Sequence, residues 1–357
     1  MNAKSALIAI DAMGGDFAPS AVIEGALRAA KKGIAVALYG DQNRLIEVLN
    51  FYAANWEDLP IFVHHCTQVI NMADEPGRSV RKTDSSLMRA IEAVAEGKAD
   101  AIVSAGNSGA ALVAGMLKIG RIPGILRPAI GGFLPTHNDS VFCLDLGANV
   151  DCKPEYLHQF ALMGDAYVRL VKNIEKPRIG LLSNGTESSK GTKLIQQVHE
   201  LLSQSSMHFI GNCEPNDIFS GVADVVVCEG FSGNIMLKAI ESTVQVITQW
   251  LKDEGNRSLL GMCAGILGAP VFKRLKKHIK KAQRGGALLL GVSKPLIIAH
   301  GSSNALAIED AISFAHDVVL QKFHINYNNI VLDLLNENKL IQTNFNNRTV
   351  EKQIQEQ

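Results

Sequence analysis

The sequence predicts an α/β fold, a mostly parallel sheet covered by helices on both faces. Three features carry this. Apolar runs of strand length recur along the chain, many end in a polar glycine loop, and those loops open into stretches with helical periodicity. Strands buried on both faces and alternating with amphipathic helices are the pattern of a parallel sheet.

In chain order, Ala6–Ile10 reads as the first strand and meets the loop Asp11-Ala-Met-Gly-Gly-Asp16. Ser20–Lys31 follows as a helix with Val22, Ala26 and Ala29 on one face. Ile34–Tyr39 and Ile61–His64 are the next strands. Thr83–Gly97 is a helix with Leu87, Ile91 and Val94 in one stripe, Thr83 or Asp84 as its cap, and Gly97 at its end. Ala101–Ser104 is a strand, Ala105–Gly109 a loop and Ala110–Ile119 a helix. Further strands fall at Val141–Leu144, Ile179–Leu182, Phe209–Ile210 and Val225–Cys228, and further helices at Tyr156–Val171, Thr192–Leu202 and Ile235–Leu251. Residues 1–325 read as a single domain that includes a basic amphipathic segment, 259–284. Residues 326–357 read as a polar, partly disordered tail, with a short helix at Ile330–Leu335 and fraying beyond about Asn338.

Composition narrows the function classes. The chain has 357 residues, 47% hydrophobic and 20% charged, the balance of an ordinary globular protein. Its formal net charge is zero, so no overall field draws it to nucleic acid. The six cysteines, at 66, 143, 152, 213, 228 and 263, form no Cys-x-x-Cys pair and no zinc-site spacing. They read as free core thiols, which implies a reducing, cytoplasmic compartment. The first apolar run is too short for a signal peptide. The uncharged stretch Leu259–Phe272 is shorter than the roughly 20 residues a spanning helix needs.

Five polar glycine loops point to an anionic ligand: Asp11–Asp16, Gly106–Gly109, Asp145–Asn149, Asn184–Gly191 and Gly230–Asn234. Glycine lets backbone N–H groups approach an anion, and a helix that follows adds free donors at its positive end. Ala99–Ala110 and Ala223–Asn234 can be overlaid without gaps, sharing Ala, Asp, Val, Gly, Ser and Gly. Either βα units have converged on similar turns, or both loops line one cleft.

Familiar fingerprints fail. Met13-Gly-Gly-Asp16 breaks the dinucleotide pattern, a lysine replaces the second glycine of a P-loop after Gly185, and Ser108 and Ser232 sit in Gly-x-Ser-Gly, short of a nucleophile elbow. Those serines read as helix caps or phosphate donors. Lys190 is placed to meet phosphate as a point charge. Asn234 and Lys238 lie one turn apart at a helix start. His300 follows the buried run Leu296–Ala299 and is either a ligand or a satisfied histidine. Asp11, Asp16, Asp145 and Asp151 could hold magnesium, but turn capping is the favoured role, so neither metal nor cofactor is expected. Val271–Arg284 places Phe272, Leu275, Ile279 and Ala282 at helical spacing among seven basic residues, a surface for anionic lipid or an acidic protein, or a solvated helix.

Seven stretches in order resemble the bacterial phosphate acyltransferase family, PlsX, which makes acyl phosphate from acyl-[acyl carrier protein]. They are Ile10–Pro19, Lys82–Ser86, Ser104–Gly109, Leu144–Asn149, Gly185-Thr-Glu187 with Lys190-Gly191, Gly230–Asn234 with Leu237-Lys238, and His300–Ser303. The chain departs from the family at Ser183-Asn184, where Asn-Ile is usual, and has Ser108 and Ser232 in place of threonine. The resemblance implies a three-layer α/β/α fold similar to the isopropylmalate dehydrogenase and phosphotransacetylase group. It implies a homodimer, loosely associated with the membrane, that passes acyl phosphate to a glycerol-3-phosphate acyltransferase. It also implies catalytic roles for Lys190 and Asn234. Beside them, Asp11, Gly14, Gly15, Asn107, Ser108, Gly109, Thr186, Glu187, Ser232, Gly233, Lys238 and His300 are expected to bind substrate. The rival readings are a phosphotransacetylase using acyl-coenzyme A, a non-catalytic scaffold for acyl carrier protein at the membrane, and a dehydrogenase of the same fold group.

Overall fold

The computed structural model describes residues 6–257, 268 and 285–355. The basic segment Val271–Arg284 therefore lies outside the described residues. In chain order the elements are β1 (Leu7–Asp11), α1 (Ser20–Ala30), β2 (Ala35–Gly40), α2 (Gln42–Tyr52), β3 (Ile61–His65), α3 (Pro76–Ser79), α4 (Ser86–Ala95), β4 (Ala101–Ser104) and α5 (Ser108–Ala114). Next come β5 (Ala129–Pro135), β6 (Ser140–Leu144), α6 (Pro154–Lys172), β7 (Ile179–Leu182), α7 (Lys193–Ser203), β8 (Phe209–Cys213), α8 (Pro215–Ser220), β9 (Val225–Val227) and α9 (Gly230–Asn256). The last are β10 (Ala287–Leu290), β11 (Leu296–Ile298), α10 (Ala305–Leu320) and α11 (Phe323–Gln355).

The chain divides into two compact units, where the sequence reads as one domain over residues 1–325. The first unit holds Met1–Gly131, Asp165–Glu175 and Arg284–Gln357, and the second holds Gly132–Gly164 and Lys176–Gln283. Two of the boundaries fall inside β5 and α6, where composition does not mark them, and a third falls at 175/176, between α6 and β7.

In the first unit the parallel strands run β3-β2-β1-β4-β11, with Leu7 opposite Ala35, Ile8 opposite Ala101 and Ile102 opposite Leu296. β10 pairs antiparallel with β11 and with the start of β5. Strands β1, β2 and β4 are buried on both faces, which is why they read as unbroken apolar runs. From β1 the chain steps outward through β2 to β3, then returns across α4 to β4 on the other side of β1. Right-handed crossovers in opposite directions place α1 and α2 on one face and α4 on the other. The point where the direction reverses, between β1 and β4, is where an open α/β sheet leaves a crevice at its carboxyl edge.

The cap of α4 is Ser85, whose hydroxyl accepts from Met88 N at 3.4 Å, and not Thr83 or Asp84. Asp84 is engaged instead with the N–H and hydroxyl of Thr67, at 3.0 and 2.6 Å, which holds its carboxyl below the usual range.

The segment read as a tail is helical. In α11, Tyr327, Val331, Leu334 and Asn338 are buried at helical spacing. The Phe323 ring packs edge-on against Tyr167 at 5.4 Å and stacks on Tyr327 at 6.0 Å.

In the second unit β6, β9, β7 and β8 are parallel in that order, with Val225 opposite both Phe142 and Ile179. Phe142, Cys143, Leu144, Ile179, Leu181 and Val225–Val227 form its buried centre. Because β9 is inserted between β6 and β7, the loops that leave these three strands emerge side by side at one carboxyl edge.

Candidate active site

The crevice of the first unit is built around Asp11, the last residue of β1. It is buried, and Ser104 at the end of β4 donates its hydroxyl to Asp11 Oδ2 at 2.7 Å. The same hydroxyl accepts from Gly106 N at 3.1 Å. Burial raises the Asp11 carboxyl above the usual carboxylate range, opposed by hydrogen bonding from Ser86, Ser104 and the backbone at Met13. The loop continues through Gly14, whose N–H reaches Asp11 O at 3.4 Å, and Gly15, whose carbonyl accepts from Ala18 N at 3.3 Å. Asp16 N donates to Gly301 O at 2.8 Å, which ties this loop to the one carrying His300. His300 is exposed, and its Nδ1 accepts from Ser302 N at 3.3 Å and lies 2.8 Å from Ser302 Oγ. The apolar run before it is a strand, and the imidazole itself faces out, so it is not a core histidine.

Asn107 differs from its expected role. Its Oδ1 caps α5 through Ala110 N at 3.0 Å, and its Nδ2 donates to the carbonyls of Asn71, Met72 and Asp74 at 3.3, 3.2 and 2.9 Å. Both ends of the amide are committed to the scaffold. Lys82, from another matched stretch, is equally structural: its ammonium meets Val69 O at 3.0 Å and Asp74 Oδ2 at 2.6 Å. Ser108 is exposed in the first turn of α5 and Gly109 is half-buried beside it.

In the second unit three loops leave β6, β9 and β7. Asp145, fully buried after β6, accepts from Gly147 N and Ala148 N through Oδ1, and from Asn149 N and Asn149 Nδ2 through Oδ2, over 2.7–3.1 Å. It holds a turn. Among the described residues no group of three or more His, Cys, Asp or Glu gathers as a metal site.

After β9, Glu229 caps α9 by accepting from Ser232 N at 3.1 Å, and Ser232 Oγ donates to the same carboxylate. The caps of α5 and α9 are thus Asn107 and Glu229, not the serines. Gly106 precedes one helix while Gly230 begins the other, so the two similar loops differ in conformation. Gly233 must be glycine: a Cβ there would lie 1.9 Å from Asp145 O. Asn234, next in line, is exposed. Lys238 one turn on pairs with Glu241 at 3.2 Å.

Several N–H groups expected to form an anion cradle are already engaged. Gly230 N is taken by Asn149 O, Gly233 N by Glu229 O, Ser232 N by the Glu229 side chain and Gly106 N by Ser104. Short glycine loops spend donors on their own closure, so anion binding falls more heavily on side chains.

The loop after β7 supplies one. Asn184 Oδ1 accepts from Gly191 N at 2.9 Å, closing residues 184–191 into a ring. Asn212 Nδ2 holds the ring from beneath through Glu187 O at 2.8 Å. Thr186, Glu187 and Lys190 stand exposed on it, and the Lys190 ammonium has no ion-pair partner among the described residues. Asn184, where the chain departs from the family's usual residue, is therefore the clasp of this loop. In the sequence Asn184 shows only as the first residue of its loop and a departure at Ser183-Asn184, and Asn212 does not stand out. A polar residue seven positions before the glycine it bonds carries no periodic signal.

The described cysteines offer no nucleophile here. Burial pushes the thiols of Cys66 and Cys152 up to about 12 and that of Cys213 to about 11, and it raises Cys143 and Cys228 as well.

A family model described as "Fatty acid synthesis protein" matches residues 6–325. A protein of Syntrophotalea carbinolica named "Phosphate acyltransferase" is 45% identical over 320 residues, covering 89% of this chain and 92% of that one. The chain belongs to the phosphate acyltransferase family. A second member, from Geotalea uraniireducens, is 46% identical over 312 residues, covering 87% of this chain and 90% of its own length. Membership makes the chain an acyltransferase enzyme. A phosphotransacetylase from Streptococcus pyogenes shares the fold at a TM-score of 0.56 and 16% identity, over 88% of this chain and 94% of that one. The phosphate acyltransferase chain thus has the α/β fold of the phosphotransacetylases.

Proposed function

We propose that this enzyme transfers a fatty acyl group from acyl carrier protein to inorganic phosphate, giving acyl phosphate for phospholipid synthesis. The observation that carries the reading is the exposed Lys190 ammonium, without an ion-pair partner among the described residues, on its closed loop beside the strand whose loop presents Asn234, in a chain of this family. Lys190 holds phosphate as a point charge. Asn234 orients the phosphate or donates to the oxyanion. Thr186, Glu187 and Lys238 line the same edge. In the first unit, Asp11 and Ser104 order the loop carrying Ser108 and Gly109, and His300 stands on the loop tied to Gly15 and Asp16.

The chemistry needs no protein nucleophile. A phosphate oxygen attacks the thioester carbonyl carbon, the C–S bond breaks, and the thiolate leaves. Phosphate carries about two negative charges near neutral pH, and the leaving thiol has a pKa of about 8.5, so neither step demands a strong base or acid. The work left to the protein is orientation and stabilisation of the tetrahedral oxyanion. The high pKa values of the described cysteines and the capping role of Glu229 toward Ser232 support direct transfer without an acyl-enzyme. On the same reading the enzyme is a homodimer loosely associated with the membrane, where a glycerol-3-phosphate acyltransferase consumes the product. No described helix is long and apolar enough to cross a membrane.

The test is a quenched reaction with radiolabelled acyl-[acyl carrier protein] and phosphate. Acyl phosphate with no label retained on denatured enzyme is expected. A stoichiometric covalent acyl-enzyme would refute direct transfer.

A further inference from the structure

Asp145 is buried, yet its contacts lead to Asn234. Its carboxylate gathers the N–H groups of Gly147, Ala148 and Asn149 and the amide of Asn149 into one turn. That turn lies on the first turn of α9 at three points. Asn149 O accepts from Gly230 N at 2.7 Å. Asp145 O also faces Gly233 and accepts from Cys228 Sγ at 3.3 Å. Gly147, at φ +135°, lies under the side chain of Asn234, so that a Cβ added there would be 3.3 Å from Asn234 Cβ and 3.4 Å from Asn234 Cγ.

We propose that Asp145 is a positioning residue that sets Asn234 for the reaction by building the Gly147–Asn149 turn on which the asparagine rests. The inference rests on the proposed role of Asn234. A carboxylate is suited to this task because its two oxygens accept from all four donors, whereas an amide would turn an NH2 group toward N–H donors and open the turn. Asp145 touches no substrate; it acts through Gly147 and Asn149.

A double-mutant cycle with Asp145→Asn and Asn234→Ala tests this, with acyl-phosphate formation as the readout and circular dichroism as the check on folding. If Asp145 acts through Asn234, D145N lowers kcat/KM about 10-fold or more in the native background but no more than about 2-fold once Asn234 is alanine. Gly147→Ala serves where D145N does not fold, since it presses directly on Asn234, and the same loss of effect in N234A is expected. Losses that simply multiply, for either variant, would overturn the inference while leaving the function intact. No acyl phosphate from the native chain would overturn the function, and the inference with it.

Discussion

Lys190 concentrates the catalytic prediction at the scale of single residues. Lys190→Ala is expected to lower kcat/KM by about 10²–10³-fold, the cost of removing one electrostatic stabiliser. The unfolding midpoint should not move, because no ion pair is lost with it among the described residues. Turnover within a few-fold of native would refute the role. His158 makes a separate prediction. It is buried in α6, and burial lowers its pKa from 6.5 to about 4. The folded state therefore favours the neutral ring. Its stabilising effect is complete above the unfolded value near 6.5 and is lost as pH falls toward 4, by an amount on the order of 3 kcal/mol. Urea unfolding at pH 7 and pH 4.5 should show a steeper loss for the native chain than for His158→Gln, and equal slopes would contradict it. The proposed site takes Lys190 and Asn234 from the sequence, where chemistry depends on residue type, and both stand exposed in the structure. It was not legible where roles depend on contact: Asn107 as a scaffold amide, Asn184 as a clasp and Asp145 as the core of a turn are visible only once the loops are folded.

Elements show the same division. β1, β2, β7 and α7 emerge from the sequence near their observed bounds, because strands buried on both faces and amphipathic helices announce themselves by period. β5 was missed because Ala129–Pro135 contains two glycines and a proline, which read as a loop. β10, Ala287–Leu290, was passed over although its apolar run is as long as that of β7. α10 did carry a signal, Ile308, Ala311, Ile312 and Ala315 at helical spacing, and α11 another. Asparagine-rich composition obscured α11. Caps depend on position more than on type, which is why Ser85, two residues inside the expected start, is the cap of α4. Two substitutions contrast stability with catalysis. Asp41→Ala removes the cap of α2, a 3.1 Å acceptor for Arg44 N, and should cost about 1 kcal/mol in urea unfolding without lowering kcat. Gly233→Ala drives a methyl into Asp145 O and should cost about 3 kcal/mol and most activity. An active, stable G233A would mean that the first turn of α9 does not pack as described.

For the whole molecule, family membership and fold agree with the order of motifs along the chain. Seven stretches in sequence order were more informative than any one loop, because each glycine loop alone fits many α/β proteins. The division into two units was hard to read because two of the crossings between them lie within β5 and α6. The central claim is the reaction itself, and the most direct measurement is acyl-phosphate formation from a long-chain acyl-[acyl carrier protein] and inorganic phosphate, run beside the same acyl-coenzyme A with no added metal or nucleotide. Product from the carrier-protein donor, with little from the coenzyme A donor, is the predicted result. Product from coenzyme A alone, or from neither donor, would contradict it.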